Sequence, residues 1–321
     1  MLYADYDSKM YRATRIPSSL SVVDVILDTD AYNEIDDQYA IAYLLLSPER
    51  FRTIGLCAAP FLNSHSTSPE DGMNKSYDEI LHILKLMNRE DLSDKVYRGS
   101  TTYLPNADTP VESDAARFLV KEARAHSPQN PLYIIAIGAI TNVASAILMD
   151  KDAMLNNTVV VWLGGHSFDY SHTGEFNMRQ DMDAARVVFD SKIFLTLVPC
   201  LGVASELRTT EPELRHWLLG QNPLADYLYE HTVEAAEKRR TGAAWSRVIW
   251  DVAAIAALRD RDTGRFVQAR MEPSPLLRDD YLYARDESRH RIRYVFHVER
   301  DAIFSELFEK IRAMGTSPEA K

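Results

Sequence analysis

Short, continuously apolar runs alternate along the chain with longer segments that carry one apolar face. The largely apolar runs at 22–27, 53–59, 132–137, 159–163, 194–198 and 291–298 read as strands. Segments 77–87, 113–125 and 141–149 place their apolar residues at helical spacing. Strand–helix alternation of this kind predicts an α/β domain built on an open, largely parallel, doubly wound sheet. From 211 to 259 the pattern turns mostly helical, and the last strand is followed by a helix at 301–314, so the late helices are expected to form a cap beside the sheet edge. Linkers, internal repeats and low-complexity stretches are absent from the sequence. The expected organisation is an N-terminal arm over residues 1–20, packed on the domain or on a neighbouring subunit, and one domain over 21–321.

Between the first strand and the first helix the sequence reads Asp28-Thr29-Asp30-Ala31-Tyr32-Asn33-Glu34-Ile35-Asp36-Asp37, five carboxylates in ten residues with no Lys or Arg among them. This is the edge of an open α/β sheet where ligands bind. A helix N-terminus offsets part of the repulsion, but acids this crowded call for a hard, oxygen-seeking ion such as Ca²⁺ or Mg²⁺. The plainer reading has Asn33 capping the helix, Glu34 and Asp36 complementing its dipole and Asp28 as a satisfied buried acid. It leaves Asp30 and Asp37 without a purpose.

Composition narrows the partners. Hydrophobic residues at 46% and charged residues at 26% give ample material for a core. A formal charge of -11 argues against nucleic acid, and Lys238-Arg239-Arg240 is too short a basic run to change that. Cys57 and Cys200 both sit in apolar surroundings, which points to buried thiols in a reducing cytoplasm rather than a disulfide. The first twenty residues contain no apolar h-region and no eighteen-residue apolar run occurs, so neither export nor membrane insertion is expected.

Three further segments end in residues suited to chemistry. Gly138-Ala139-Ile140-Thr141-Asn142 reads as a glycine turn and a Thr/Asn helix cap, which leaves backbone carbonyls at the strand end free to face a ligand, or simply as a structural βα turn. Gly164-Gly165-His166, followed by Glu175-Phe176-Asn177 and Asp181, combines a permissive backbone with polar groups able to read a polyhydroxyl ligand. Trp250-Asp251-Val252-Ala253 opens a helix, where Asp251 also complements a dipole.

The acidic strand–turn–helix, the Gly-x-Ile-Thr-Asn turn, the Gly-Gly loop with Glu-Phe-Asn and the late Asp before Val-Ala-Ala stand in the order and at the approximate spacing of nucleoside hydrolases. From about Val22 to the C-terminal helix, the chain resembles the inosine-uridine preferring nucleoside hydrolase family. The resemblance implies the family's sheet and helical cap, hydrolysis of an N-ribosidic bond to ribose and free base in purine or pyrimidine salvage, and a homo-oligomer, dimer or tetramer. It also implies one Ca²⁺ held by Asp30, Asp37, Asp251 and the Ile137 carbonyl. Asp36, Glu175 and Asn177 match ribose ligands, and Asp169 stands where the family has an Asn six residues before the Glu.

The chain also departs from the pattern. Pro-Gly is missing from the acidic turn, which is two residues longer. The Gly-Asn after the second strand is replaced by Ala58-Ala59-Pro60-Phe61-Leu62-Asn63, with Asn63 as a displaced substitute. Trp250 occupies the place of the His that assists the departing base, and leaves Trp250, Trp245, His166 and His172 as candidates for that task.

N-glycosidic cleavage needs a nucleophile below the anomeric carbon, stabilisation of an oxocarbenium-like sugar and a way for the base to leave. A cation-bound water with Asp30 as general base meets the first need, and the ribose-binding acids meet the second. With no adjacent Arg or Lys evident, the pocket stays net negative and suits a neutral nucleoside over a nucleotide. Two other readings compete. One is a non-catalytic nucleoside- or ribose-binding protein on the same scaffold, which the lost His and Gly-Asn favour. The other is a phosphatase of the haloacid-dehalogenase type, which shares Asp-x-Asp after its first strand but has no use for Glu175-Phe176-Asn177.

Overall fold

The computed structural model describes residues 22–239, 244–260 and 263–314; the expected N-terminal arm lies outside them. Its centre is an eight-stranded sheet. In chain order the strands are β1 (Val23–Thr29), β2 (Phe51–Ala58), β3 (Val96–Arg98), β4 (Leu132–Ala136), β5 (Thr158–Leu163) and β6 (Phe194–Val198). The sheet is completed by β9 (Val267–Pro273) and β12 (Arg291–Val298), and the two-residue strands β7 (Arg208–Thr209), β8 (Arg247–Val248), β10 (Leu276–Leu277) and β11 (Tyr283–Ala284) form two small separate ribbons. The order across the sheet is β3-β2-β1-β4-β5-β6-β12-β9, parallel except for β9, which runs antiparallel to β12.

The helices are α1 (Asp36–Leu45), α2 (Pro69–Leu86), α3 (Asp114–Ala125), α4 (Thr141–Met149), α5 (Lys151–Asn157), α6 (Phe176–Gln180), α7 (Met182–Ser191), α8 (Glu211–Trp217), α9 (Pro223–Arg239), α10 (Val252–Arg259) and α11 (Arg300–Ala313). Strand side chains alternate between the two faces, and so the sheet feeds two cores. Val25, Leu27, Tyr133, Ile135, Val159 and Val161 pack with α1, α2, α10 and α11 on one face. Ile26, Ile134, Val160, Trp162, Leu195 and Tyr294 pack with α3, α4 and α7 on the other. This two-sided burial is why the parallel strands read as unbroken apolar runs.

The chain starts in the middle of the sheet at β1, builds outward to β3, and returns to β4 on the other side of β1. That reversal leaves a crevice beyond the carboxyl ends of β1 and β4, the place where open α/β sheets hold ligands. Two capping expectations are corrected. Helix α1 begins after Ile35 with no side-chain cap, and Asn33 instead accepts from Asn63 Nδ2. Helix α4 likewise has no side-chain cap at Ile140, because Thr141 and Asn142 are engaged across the sheet.

Candidate active site

Beyond the β1 and β4 ends lies a cavity of ≈ 550 Å³, within the size range of small-molecule sites. Asp30, Asp36, Asp37 and Asp251 line it together with Asn63, Ile137, Glu175, Asn177 and Trp250. Sequence segments as distant as the first strand and the tenth helix therefore converge on one crevice. All four aspartates are buried, the most exposed at 4%.

Asp36, Asp37 and Asp251 each offer a carboxylate oxygen within 4.8 Å of the others, a grouping able to hold a metal ion. Thr29 Oγ1 donates to Asp37 Oδ1, and the backbone N–H of Trp250 donates to Asp36 Oδ2 at 3.2 Å. Asp30 is different. Both of its oxygens are buried without a hydrogen-bond partner, as is Asp28 Oδ2. Such orphaned acceptors are costly unless something positive or a donor faces them. The nearby guanidinium of Arg247 is paired with Glu34. A buried set of carboxylates with unsatisfied oxygens fits a hard cation with oxygen ligands.

The protonation balance says the same. Burial, followed by the charges of Asp37 and Asp36, pushes Asp30 well above the usual carboxylate range. Burial and the charge of Asp36 do likewise to Asp37 and Asp251. Burial and then Glu34 raise Asp36 to about 7, and burial raises Asp28 to about 7. Crowded carboxylates of this kind hold protons in place of a cation.

The surrounding residues fix the aspartates in place. Asn142 Nδ2 donates to Asp28 Oδ1 at 2.7 Å and to the Ala58 carbonyl at 3.2 Å, while its Oδ1 accepts from Ser100 N–H and Oγ–H, each at 2.8 Å. One amide thus ties together the ends of β1 and β2 and the segment after β3. Gly138 passes so close to Asp30 that a Cβ there would lie 2.9 Å from Oδ1.

On the opposite wall, Glu175 caps α6. Its carboxylate accepts N–H bonds from Asn177 at 2.9 Å, Met178 at 3.1 Å and Gly165 at 3.0 Å, and the Cys200 thiol also reaches it. Burial outweighs these bonds and raises its pKa. Asn177 Nδ2 donates to the Ile137 carbonyl at 3.0 Å and the Leu163 carbonyl at 3.1 Å, which leaves Oδ1 as its free acceptor. The Ile137 carbonyl is therefore shared with an amide, which takes one of its two lone pairs.

Asn63 lines the cavity but is tied into a loop network: it donates to Asn33 and accepts from His65 N–H at 2.7 Å. Asp169 is not brought to the crevice. It is exposed and lines a separate cavity of ≈ 170 Å³ with Phe168 and Arg270. His172 is exposed and Trp245 half-buried, and neither borders the main cavity, whereas His166 and Trp250 do. Arg179, Phe176 and Cys200 also border it. Sequence reading passed over Arg179 and Cys200 in this role, although Cys200 directly follows a strand end and Arg179 lies two residues beyond Asn177. Cys57 and Cys200 are both free and buried. Among the described residues, no helix is long and apolar enough to cross a membrane.

Comparison with known proteins agrees with this geometry. The sequence model of the inosine-uridine preferring nucleoside hydrolases matches residues 25–304. A probable uridine nucleosidase 2 of Arabidopsis thaliana is 28% identical over 229 residues, 64% of this chain and 67% of that one. An inosine-uridine preferring nucleoside hydrolase of Leishmania major is 26% identical over 130 residues, and the match spans 41% of that relative's length. In fold, a plant nucleoside hydrolase superposes with a TM-score of 0.71 at 18% identity, covering 91% of this chain and 99% of that one. A purine-preferring ribonucleoside hydrolase from Gardnerella vaginalis superposes with a TM-score of 0.69 at 19% identity, covering 91% of this chain and 99% of that one. With the family matched over most of its length and the acidic crevice assembled at the switch point of the sheet, the chain belongs to the inosine-uridine preferring nucleoside hydrolase family and is an N-ribosyl hydrolase.

Proposed function

We propose that the protein hydrolyses the N-glycosidic bond of a neutral ribonucleoside to ribose and free base, and does so with one Ca²⁺ bound. The observation that carries this reading is Asp30, with two buried oxygens that lack partners, beside the Asp36, Asp37 and Asp251 group. Asp30, Asp37, Asp251 and the Ile137 carbonyl are the proposed ligands of the ion. Asp36 stands close enough to Asp37 and Asp251 to be a fifth candidate, and its part in holding a ribose hydroxyl is open to the same test. When bound, the ion would supply the positive charge that offsets these carboxylates and acidifies a water.

In this reading Asp30 takes a proton from water as the water oxygen bonds to the anomeric carbon and the carbon–nitrogen bond breaks toward the base. Asp36, Glu175 and Asn177 Oδ1 accept hydrogen bonds from sugar hydroxyls, and the carboxylates favour the positive charge that develops on the ring. Trp250 stacks on the base or donates its indole N–H to it. Asn63 sits at the rim as a further contact, while the exposed placement of Asp169 leaves it the least supported of the proposed ribose ligands. A cytoplasmic homo-oligomer, dimer or tetramer, is the setting proposed for this activity.

The deciding experiment assays a panel of purine and pyrimidine nucleosides for released reducing sugar, with and without chelator. Sugar release that is lost on chelation and restored by Ca²⁺ is expected. A second reading, ligand binding without turnover, is favoured by Trp250 at the place where the family resemblance implies a base-assisting His; tight nucleoside binding with no sugar release over long incubation would establish it instead.

A further inference from the structure

We propose that His166 is a substrate-contacting residue: its Nε2–H donates a hydrogen bond to a hydroxyl oxygen of the sugar. The inference rests on the ribonucleoside reading above. It begins from a count of donors and acceptors at the Glu175 end of the cavity. Each sugar hydroxyl is both a donor and an acceptor. The Glu175 carboxylate is acceptor-only and is already met by three backbone N–H groups. Both amide hydrogens of Asn177 are spent on the carbonyls of Ile137 and Leu163, so it too presents an acceptor. Asp169 stands at the family's Asn position, yet it is exposed, lies away from the cavity and carries no donor. Sugar hydroxyls at this wall therefore find acceptors for their hydrogens but need a donor for their lone pairs, and besides the exposed guanidinium of Arg179, which lies over the Phe176 ring, a buried donor is needed at the Gly165 side.

His166 supplies it. The residue lies on the same loop as Asp169, borders the cavity and is 7% exposed. Its backbone N–H donates to Thr173 Oγ1 at 2.9 Å, and the neighbouring Gly165 N–H binds Glu175, so the loop is pinned on both sides of the ring. The N–H of Leu201 donates to His166 Nδ1 at 3.3 Å. Nδ1 is thereby an acceptor, which puts the ring proton on Nε2. Among the described residues Nε2 makes no hydrogen bond, while the ring of His172, edge-on at 5.4 Å between centroids, and that of Tyr170, tilted at 5.9 Å, flank the imidazole. Burial and then His172 lower its pKa to about 4, with a small opposing contribution from the Gly165 backbone, so the ring stays neutral. A neutral imidazole with a fixed tautomer is a hydrogen-bond donor rather than a proton source. That separates this role from protonation of the leaving base.

The test pairs enzyme variants with substrate analogues. His166→Leu removes the donor, and His166→Gln places an amide N–H near the position of Nε2. Loss of one hydrogen bond to substrate predicts a fall in kcat/KM of about tenfold for His166→Leu, with His166→Gln within about threefold of wild type. Both are then compared on the 2′-, 3′- and 5′-deoxy analogues of the preferred nucleoside. The hydroxyl that His166 contacts reveals itself because, once it is removed, His166→Leu has no further effect. A Leu variant equally impaired on the parent and on all three analogues would overturn the contact, as would one that matches wild type throughout. The same cycle is read from dissociation constants by calorimetry. A wild type that binds nucleosides without turnover therefore fails the hydrolase reading while the contact is still decided.

Discussion

The backbone N–H of Trp250 donates to Asp36 Oδ2 at 3.2 Å, across 214 residues of sequence. The residue that, by the family resemblance, stands in the place of a base-assisting His is therefore anchored to the acidic turn through its main chain, while its half-buried ring packs against the core beside the cavity. Substitution at 250 alters the leaving-group side of the crevice without cutting this tie.

An indole N–H does not ionise usefully, so the base must leave with little help from Trp250. Wild type is expected to prefer p-nitrophenyl riboside, whose leaving group needs no proton, over inosine and uridine. Trp250→His is expected to raise activity on the natural nucleosides, by up to the roughly 10²–10⁴-fold that a positioned acid contributes. Steady-state kinetics on the three substrates decide it. Efficient uridine hydrolysis that is indifferent to this substitution would show that another residue supplies the acid.

Asp30→Asn should cut turnover by roughly 10²–10⁴-fold, because an amide cannot take the proton of water. Asn177→Ala should weaken sugar binding and turnover while Ca²⁺ still binds, since Asn177 meets the metal ligands only through the Ile137 carbonyl. Calorimetric Ca²⁺ titration of both variants separates the roles. Near-normal turnover by the Asp30 variant would end its assignment as base.

Gly138→Ala introduces a methyl group 2.9 Å from Asp30 Oδ1 and 3.1 Å from the Ala59 Cβ. Contacts this short must open, and the carboxylate is the neighbour with room to swing into the cavity. Activity is expected to fall at least about tenfold, with stability reduced by roughly 1–3 kcal/mol as for other overpacked sites. Kinetics with a thermal melt would show it, and unchanged activity would mean that the position of Asp30 is not critical.

Asp28 and Asp36 have pKa values raised from 3.8 to about 7 by burial, with Glu34 adding to the effect on Asp36. Below about 7 the folded, metal-free protein holds protons that the unfolded chain releases down to about 4. Its stability should therefore rise as pH falls through this window and decline as pH rises through 7. The proposed Ca²⁺ ligands Asp30, Asp37 and Asp251 are also raised well above the usual carboxylate range and must be ionised to hold the ion, so its stabilising effect should be largest at the alkaline end and fade toward acid. Melting temperatures with chelator and with Ca²⁺ across this range give the answer. A chelated protein that loses stability on acidification from 7 to 5 would contradict it.

Much of this was legible in the sequence for a physical reason. Strands buried on both faces are largely apolar, and 194–198 coincides with β6, while 291–298 coincides with β12 despite Arg291, Arg293 and His297. Strand β3 escaped notice because three residues carry no period, and β9 because an edge strand with exposed positions does not read as apolar. The acids of the crevice were legible because like charges without counter-charges demand an explanation. The loop from Gly164 to Glu175 was not. Its glycines permit many paths, and sequence spacing alone put Asp169 at the sugar, whereas the folded loop brings in His166 and turns Asp169 outward.

The wide separation between Asp36 and Trp250 also bears on how the crevice comes into being. At ~5–20 residues per second of synthesis, the segment carrying Trp250 and Asp251 emerges about 10–40 s after the acidic turn. Until then the early carboxylates have no late helix to close over them and stay in water, where their mutual repulsion is screened. The nascent chain can thus complete β1 to β6 before Asp251 joins the early carboxylates. The docking of α10, which brings Asp251 to Asp36 and Asp37, is therefore the folding step expected to respond most to ionic conditions.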